Sequence, residues 1–169
     1  MVPPDAMTKP PTLVCLLILI GACSKSPSSP TAIGTWEEVR SLAESFVLRG
    51  DANAIRMHAD LAGVPPEAEQ KFKSMFADWR GIPGNLKHTE TRVLTFPEYE
   101  ALQREDKKDL PEDMRSAVLS SVRWNVKPDK VIVFTFASKD PNDTTTRVRW
   151  SAGAYQTNGL WFFAVSYSQ

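Results

Sequence analysis

The apolar and polar positions of this chain keep one period in the first half of the domain and another in the second. From residue 36 to 47, Trp36, Val39, Leu42, Ala43, Phe46 and Val47 recur three and four apart, the spacing of one helix face. Thr35-Trp36-Glu37-Glu38 supplies a capping box at its start and Gly50 a stop at its end. Asp51 is placed to cap a second helix carrying Ile55, His58, Leu61 and Ala62, stopped by Gly63. A third begins at Pro65-Pro66 and shows Phe72, Met75, Phe76 and Trp79 on one face, until Arg80-Gly81-Ile82-Pro83-Gly84 breaks it.

From Asn85 the period becomes two. Residues 86–96 predict a strand, 97–115 a highly charged insertion that is irregular or partly helical, and 117–126 and 130–138 a strand pair around Lys127-Pro128-Asp129. Two longer strands, 144–157 and 160–168, flank Asn158-Gly159, the strongest hairpin signal in the chain. A two-residue turn sets the register: Thr157 should pair with Leu160, Ala154 with Phe163, Ala152 with Val165 and Trp150 with Tyr167. One face then gathers Trp150, Ala152, Ala154, Trp161 and Phe163, while the other mixes Arg147, Arg149, Ser151 and Tyr155 with Phe162. Such a sheet should be covered by helices on one side, which makes the fold class α+β.

Ahead of the domain stands a short oily run, Leu13 to Ala22, in LVCLLILIGACSKS. It is too short to span a bilayer, which takes roughly 20 apolar residues, and reads as the apolar region of a signal peptide. Ordinary cleavage after Ala22 would put bulky Ile20 where a small residue is wanted. Ile20-Gly21-Ala22-Cys23 resembles instead the lipobox of bacterial lipoproteins, which implies a diacylglyceryl thioether on Cys23 and cleavage just before it. Two or three acyl chains make a durable membrane anchor where one does not. Ser24 is not the Asp that in enterobacteria retains lipoproteins at the inner membrane, so the resemblance favours the outer membrane.

The organisation expected is therefore 1–22 as signal peptide, 23–34 as lipidated Cys and Ser/Pro-rich tether, and 35–169 as one α+β domain. Lipidation of Cys23 leaves no disulfide, since Cys15 goes with the leader. With 20 basic and 20 acidic residues, the chain carries no global field that would draw nucleic acid.

Helices followed by a strand meander, closing in Tyr155-Gln-Thr-Asn-Gly159-Leu-Trp161-Phe-Phe, are similar to the nuclear-transport-factor-2-like, or cystatin-like cone, superfamily. The resemblance implies N-terminal helices packed on a curved antiparallel sheet of about four to five strands, with a cone-shaped pocket. Relatives include enzymes as well as binding, dimerisation and accessory modules. The charged segment Glu98 to Arg115 departs from the compact enzyme pattern.

Candidate chemistry is sparse. His88, Glu90 and Arg92 alternate along the first strand and would share one face, as acid-base groups or as a solvated surface. His58 falls on the apolar side of the second helix, as a half-buried core residue or a base. The two histidines are not spaced as a metal pair, and no cofactor motif occurs. Trp79, Trp124, Trp150 and Trp161, with Tyr167 as a polar group, could line a pocket for a small apolar ligand or simply fill the core. The function expected is a membrane-anchored envelope lipoprotein whose domain binds a ligand or an envelope protein, without catalysis. The alternatives are a cone-fold enzyme with an apolar substrate and a homodimer formed through the mixed face of Tyr155 and Phe162.

Overall fold

The computed structural model describes residues 29–168, so the leader, Cys23 and most of the expected tether lie outside it. Helix α1 (Trp36–Arg49) has the bounds its signals predict: Thr35 Oγ1 accepts the Glu38 N–H at 3.2 Å, and Gly50 closes the helix at φ 73°. Its Val39, Ala43, Phe46 and Val47 are buried. The second helix, α2 (Asn53–Arg56), is a single turn. The chain leaves it because residues 58–60 run along a sheet edge, where His58 C=O accepts the Phe163 N–H at 3.0 Å and Asp60 N–H donates to Phe163 C=O at 2.9 Å. Helix α3 (Pro66–Asp78) follows, with Phe76 buried.

The main sheet is antiparallel in the order β1 (Leu86–Thr95), β3 (Lys130–Ser138), β4 (Arg147–Thr157), β5 (Leu160–Ala164). A second, two-stranded sheet pairs β2 (Val122–Trp124) with β6 (Ser166–Ser168). β3 is buried on both faces. Ile132, Phe134 and Phe136 join α1, α3, Ala152, Ala154 and Phe163 in the principal core. Val131 and Val133 lie on the other face with Leu94.

That other face is covered too, which corrects the expectation of helices on one side. Residues 96–106 form α4 (Phe96–Asp106), whose Phe96, Tyr99 and Leu102 pack on Leu94, Val131 and Val133. The insertion is a helical cover with a charged outer surface. Its start is a second capping box: the Glu98 carboxylate accepts the Thr95 N–H at 2.7 Å and the Thr95 hydroxyl at 2.8 Å, which lowers the Glu98 pKa. The expected strand 117–126 is mostly helix α5 (Glu112–Ser121), and only Val122–Trp124 is extended. Arg115 joins the two helices, donating to the carbonyls of Lys107, Lys108 and Leu110 and pairing with Glu112 at 3.0 Å.

Two further corrections bear on the site. The end of the expected tether is part of the domain: Ile33 is 3% exposed and bridges Trp161 through N–H···O bonds of 3.0 and 2.9 Å. Ile33 and Ala59 together cover the outer edge of β5, which would otherwise offer unpaired backbone. The last hairpin holds its predicted register from Thr157↔Leu160 to Gly153↔Ala164 and then opens. Val165 presents its main-chain groups on the side away from β4, as Trp161 and Phe163 do, and there Asn125 Oδ1 accepts its N–H at 2.8 Å and the Asn125 N–H donates to its carbonyl at 3.1 Å. On that same side Tyr167 pairs with Arg123 of β2, and the expected pairs Ala152–Val165 and Trp150–Tyr167 do not form.

Candidate functional site

Where the chain beyond β5 leaves β4 and continues as β6, α3 still spans the inner side, and a cavity of about 440 Å³ opens between them. Its walls are Phe72, Met75 and Phe76 of α3, Trp150 to Gly153 of β4, Ala164 to Ser168, and Trp124. The small side chains Ala68 and Ala152 leave room, Gly153 lets the Trp124 ring come close, and the aromatic rings supply the surface. Size, apolar lining and few polar groups fit a small-ligand site.

Of the aromatic residues picked out by sequence, Trp124, Trp150 and Tyr167 line this cavity. Trp79 and Trp161 do not. Trp79 stacks on Phe46 with centroids 4.7 Å apart, and its indole N–H donates to the Phe46 carbonyl at 2.8 Å, so it is held in the core behind Trp150. Trp161 is buried at the opposite end of β5 against Trp36, where the Lys130 ammonium sits over both rings. Trp124 stands edge-on to Phe96 and Tyr99, so the α4 cover holds one wall of the cavity in place. The Tyr99 hydroxyl is within 3.2 Å of Ser151 Oγ, and burial raises its pKa. Arg149 pairs with Asp106 of α4 beside it.

The titratable side chains on the cavity wall are Lys71 and Tyr167. The buried carboxylate nearby belongs to a different arrangement. Asp60 accepts the Ala62 N–H at 2.9 Å on Oδ1 and the Tyr155 hydroxyl at 2.6 Å on Oδ2, while Asn125 Nδ2 donates to the Asp60 carbonyl at 2.8 Å. Burial, then the hydrogen bond to Asp60 and its negative charge, pushes the Tyr155 pKa well up. With both carboxylate oxygens occupied, the group acts as a polar pin joining the chain after α2 to β4 and to the start of β6. Sequence reading named none of Asp60, Tyr155 and Asn125 as a set, because their partners lie 65 and 95 residues apart.

The other two sequence candidates come apart. A bulge between His88 and Glu90 reverses the alternation of β1, leaving His88 beside Phe136 at 5.5 Å and hydrogen-bonded to Thr91 Oγ1 at 2.9 Å. Glu90 and Arg92 pair loosely with each other at 3.9 Å. His58 Nδ1 donates to the Thr31 carbonyl at 2.7 Å and helps to fasten the N-terminal segment. Among the described residues no three His, Cys, Asp or Glu side chains gather as for a metal ion, and no helix is long and apolar enough to cross a membrane.

The cavity between α3, β4 and β6 thus stands apart from the Asp60–Tyr155–Asn125 group and from both histidines. Comparison with protein-family models, with curated proteins and with solved structures finds no match for this chain, so the reading of this site rests on its geometry.

Proposed function

We propose that this chain is a bacterial envelope lipoprotein, anchored through a lipid on Cys23, whose domain binds a ligand in the cavity between α3 and the sheet without catalysing its conversion. The observation that carries the binding role is the cavity itself: about 440 Å³, walled by Phe72, Phe76, Trp124, Trp150 and Tyr167. The anchoring role rests on Ile20-Gly21-Ala22-Cys23 and the oily run before it. An enzymatic reading would call on Asp60 and Tyr155, but neither lines the cavity and the Asp60 oxygens already have their partners.

Two measurements test the two halves. Mass spectrometry of the membrane-associated chain should find a diacyl or triacyl Cys23 that Cys23→Ala abolishes; an unmodified N-terminus would remove the envelope address. Titration with 1-anilinonaphthalene-8-sulfonate should give saturable fluorescence that Ala68→Phe, which adds a ring at the α3 wall, reduces while the fold is kept. Equal dye binding by the folded variant would show that the cavity is not the site.

A further inference from the structure

We infer that the ligand of this cavity is an extended peptide segment, laid as an added strand between β4 and β6; this rests on the ligand-binding reading above and names its ligand class. Asn158 and Gly159 both have positive φ, 53° and 80°, so the turn is of the type that makes Thr157 and Leu160 a hydrogen-bonded pair. The alternation of an antiparallel ladder then directs the N–H and C=O of Tyr155 and Gly153 toward β5. Ala154 faces the other way, its carbonyl accepting the Asp129 N–H at 2.9 Å on the β3 side. Ser151 and Arg149 keep the direction of Gly153, but β4–β5 pairing has ended at Gly153↔Ala164. The main-chain groups of Ser151 therefore open into the cavity that Ser151 lines, and Arg149 continues the same edge.

The opposite wall is built the same way. Val165 turns its N–H and C=O to Asn125, and Tyr167 pairs with Arg123. Ser166 and Ser168 alternate with them, so their main-chain groups point away from β2, and both residues line the cavity. Counted from the turn, Ser166 is in register with Ser151 and Ser168 with Arg149, yet β4 and β6 do not pair. Two strand edges in register across a cavity are what one further strand can pair with on both sides at once.

A compact apolar ligand would use the aromatic wall and leave these amides and carbonyls without protein partners. An extended peptide uses both, because its amides meet the two edges and every second side chain faces Phe72, Phe76 and Trp150. Lys71 is the one charged side chain on the wall and has no hydrogen bond or ion pair among the described residues, so it complements an acidic side chain or a terminal carboxylate.

The test uses the purified full chain and three probes: acetyl-Thr-Val-Thr-Val-Asp, the same peptide N-methylated at both valines, and the naphthalene dye. Main-chain amide exchange followed by NMR should be fast at Ser151 and Ser166 in the free protein and slow about tenfold or more with the first peptide. N-methylation should weaken binding about tenfold or more, since it removes strand donors. Ser151→Pro, which deletes the cavity-facing N–H and leaves the β3 ladder intact, should do the same; should that variant not fold, the N-methylated peptide still decides. Lys71→Glu should weaken the acidic peptide and leave the form ending in a carboxamide with Asn at the last position unaffected.

Equal binding of the N-methylated peptide, or no peptide binding at millimolar concentration, overturns the inference. Protected Ser151 and Ser166 amides in the free protein also overturn it, since β6 would then close on β4 by itself. Dye binding that persists where the peptide fails leaves the ligand-binding reading standing, whereas failure of both probes removes both.

Discussion

Trp124 occupies the space that a side chain at position 153 would need. A Cβ built on Gly153 would stand 2.5 Å from Trp124 Cζ3 and 2.7 Å from Pro128 Cγ. Gly153→Ala should therefore displace the indole from the cavity wall and destabilise the domain by about 1–3 kcal/mol, the usual cost of overpacking a buried site. Urea unfolding followed by tryptophan fluorescence reads both effects. An unchanged midpoint would mean that Trp124 is held loosely.

Gly159 offers the contrasting case. It has φ 80° and nothing within 4 Å of where an added methyl would stand, so Gly159→Ala should cost only the backbone penalty of a left-handed residue, about 1–2 kcal/mol. Cavity binding of the dye should be unchanged. Loss of dye binding would mean that the turn sets the divergence of β4 and β6.

Tyr155→Phe should cost about 1–3 kcal/mol, because it leaves Oδ2 of the buried Asp60 without its donor. The hydroxyl also makes stability fall in alkali. Its folded-state pKa lies above the ordinary 10.0, so the protonated form is favoured by folding; the contribution is complete below pH 10 and is lost as the pH rises through the folded value. Chemical denaturation at pH 8 and above pH 10 should show a steeper alkaline loss in the parent than in the variant. Equal slopes would place the alkaline transition elsewhere.

Ile33→Ala should destabilise by about 2–5 kcal/mol, the range for emptying a buried aliphatic site. A chain beginning at Thr35 should be weakened at least as much, because it also loses the bridge to Trp161 and the Thr31 bonds to Met57 and His58. Thermal unfolding of the two shortened or substituted chains against the parent decides it. Full stability of the shorter chain would mean that residues 31–34 belong to the tether after all.

Local signals were legible where the structure is local. Thr35 with Glu38 and Gly50 bound α1, and Asn158-Gly159 sets the first half of the final hairpin. The same capping pattern stands again in Thr95-Phe96-Pro97-Glu98, and reading it would have ended β1 at Thr95 and begun α4. The short apolar pair Val118-Leu119 suits helix and strand alike, and the acidic first turn after Pro111 settles it as α5.

What could not be read depends on partners far along the chain. The Ser/Pro composition of residues 24–34 hides a bridge to Trp161, and nothing near Val165 announces that Asn125, 40 residues away, takes its main-chain bonds. The candidate site lies where β4–β5 pairing ends at Gly153↔Ala164, which no local signal marks, so its aromatic residues were visible in the sequence but its opening was not. The bulge that parts His88 from Glu90 is hidden for the same reason: Thr89 spends its hydroxyl on the Thr135 carbonyl, 46 residues on.

The fastening of Thr31 also sets the length of a leash. Thr31 donates to the Met57 carbonyl at 2.8 Å and accepts from His58, and eight residue steps separate it from Cys23. Fully extended they reach about 28 Å. With Cys23 lipidated as proposed, the domain explores only a thin shell above the bilayer. A segment displayed on a neighbouring membrane protein would then meet the cavity at high effective concentration, and weak intrinsic affinity would suffice for occupancy.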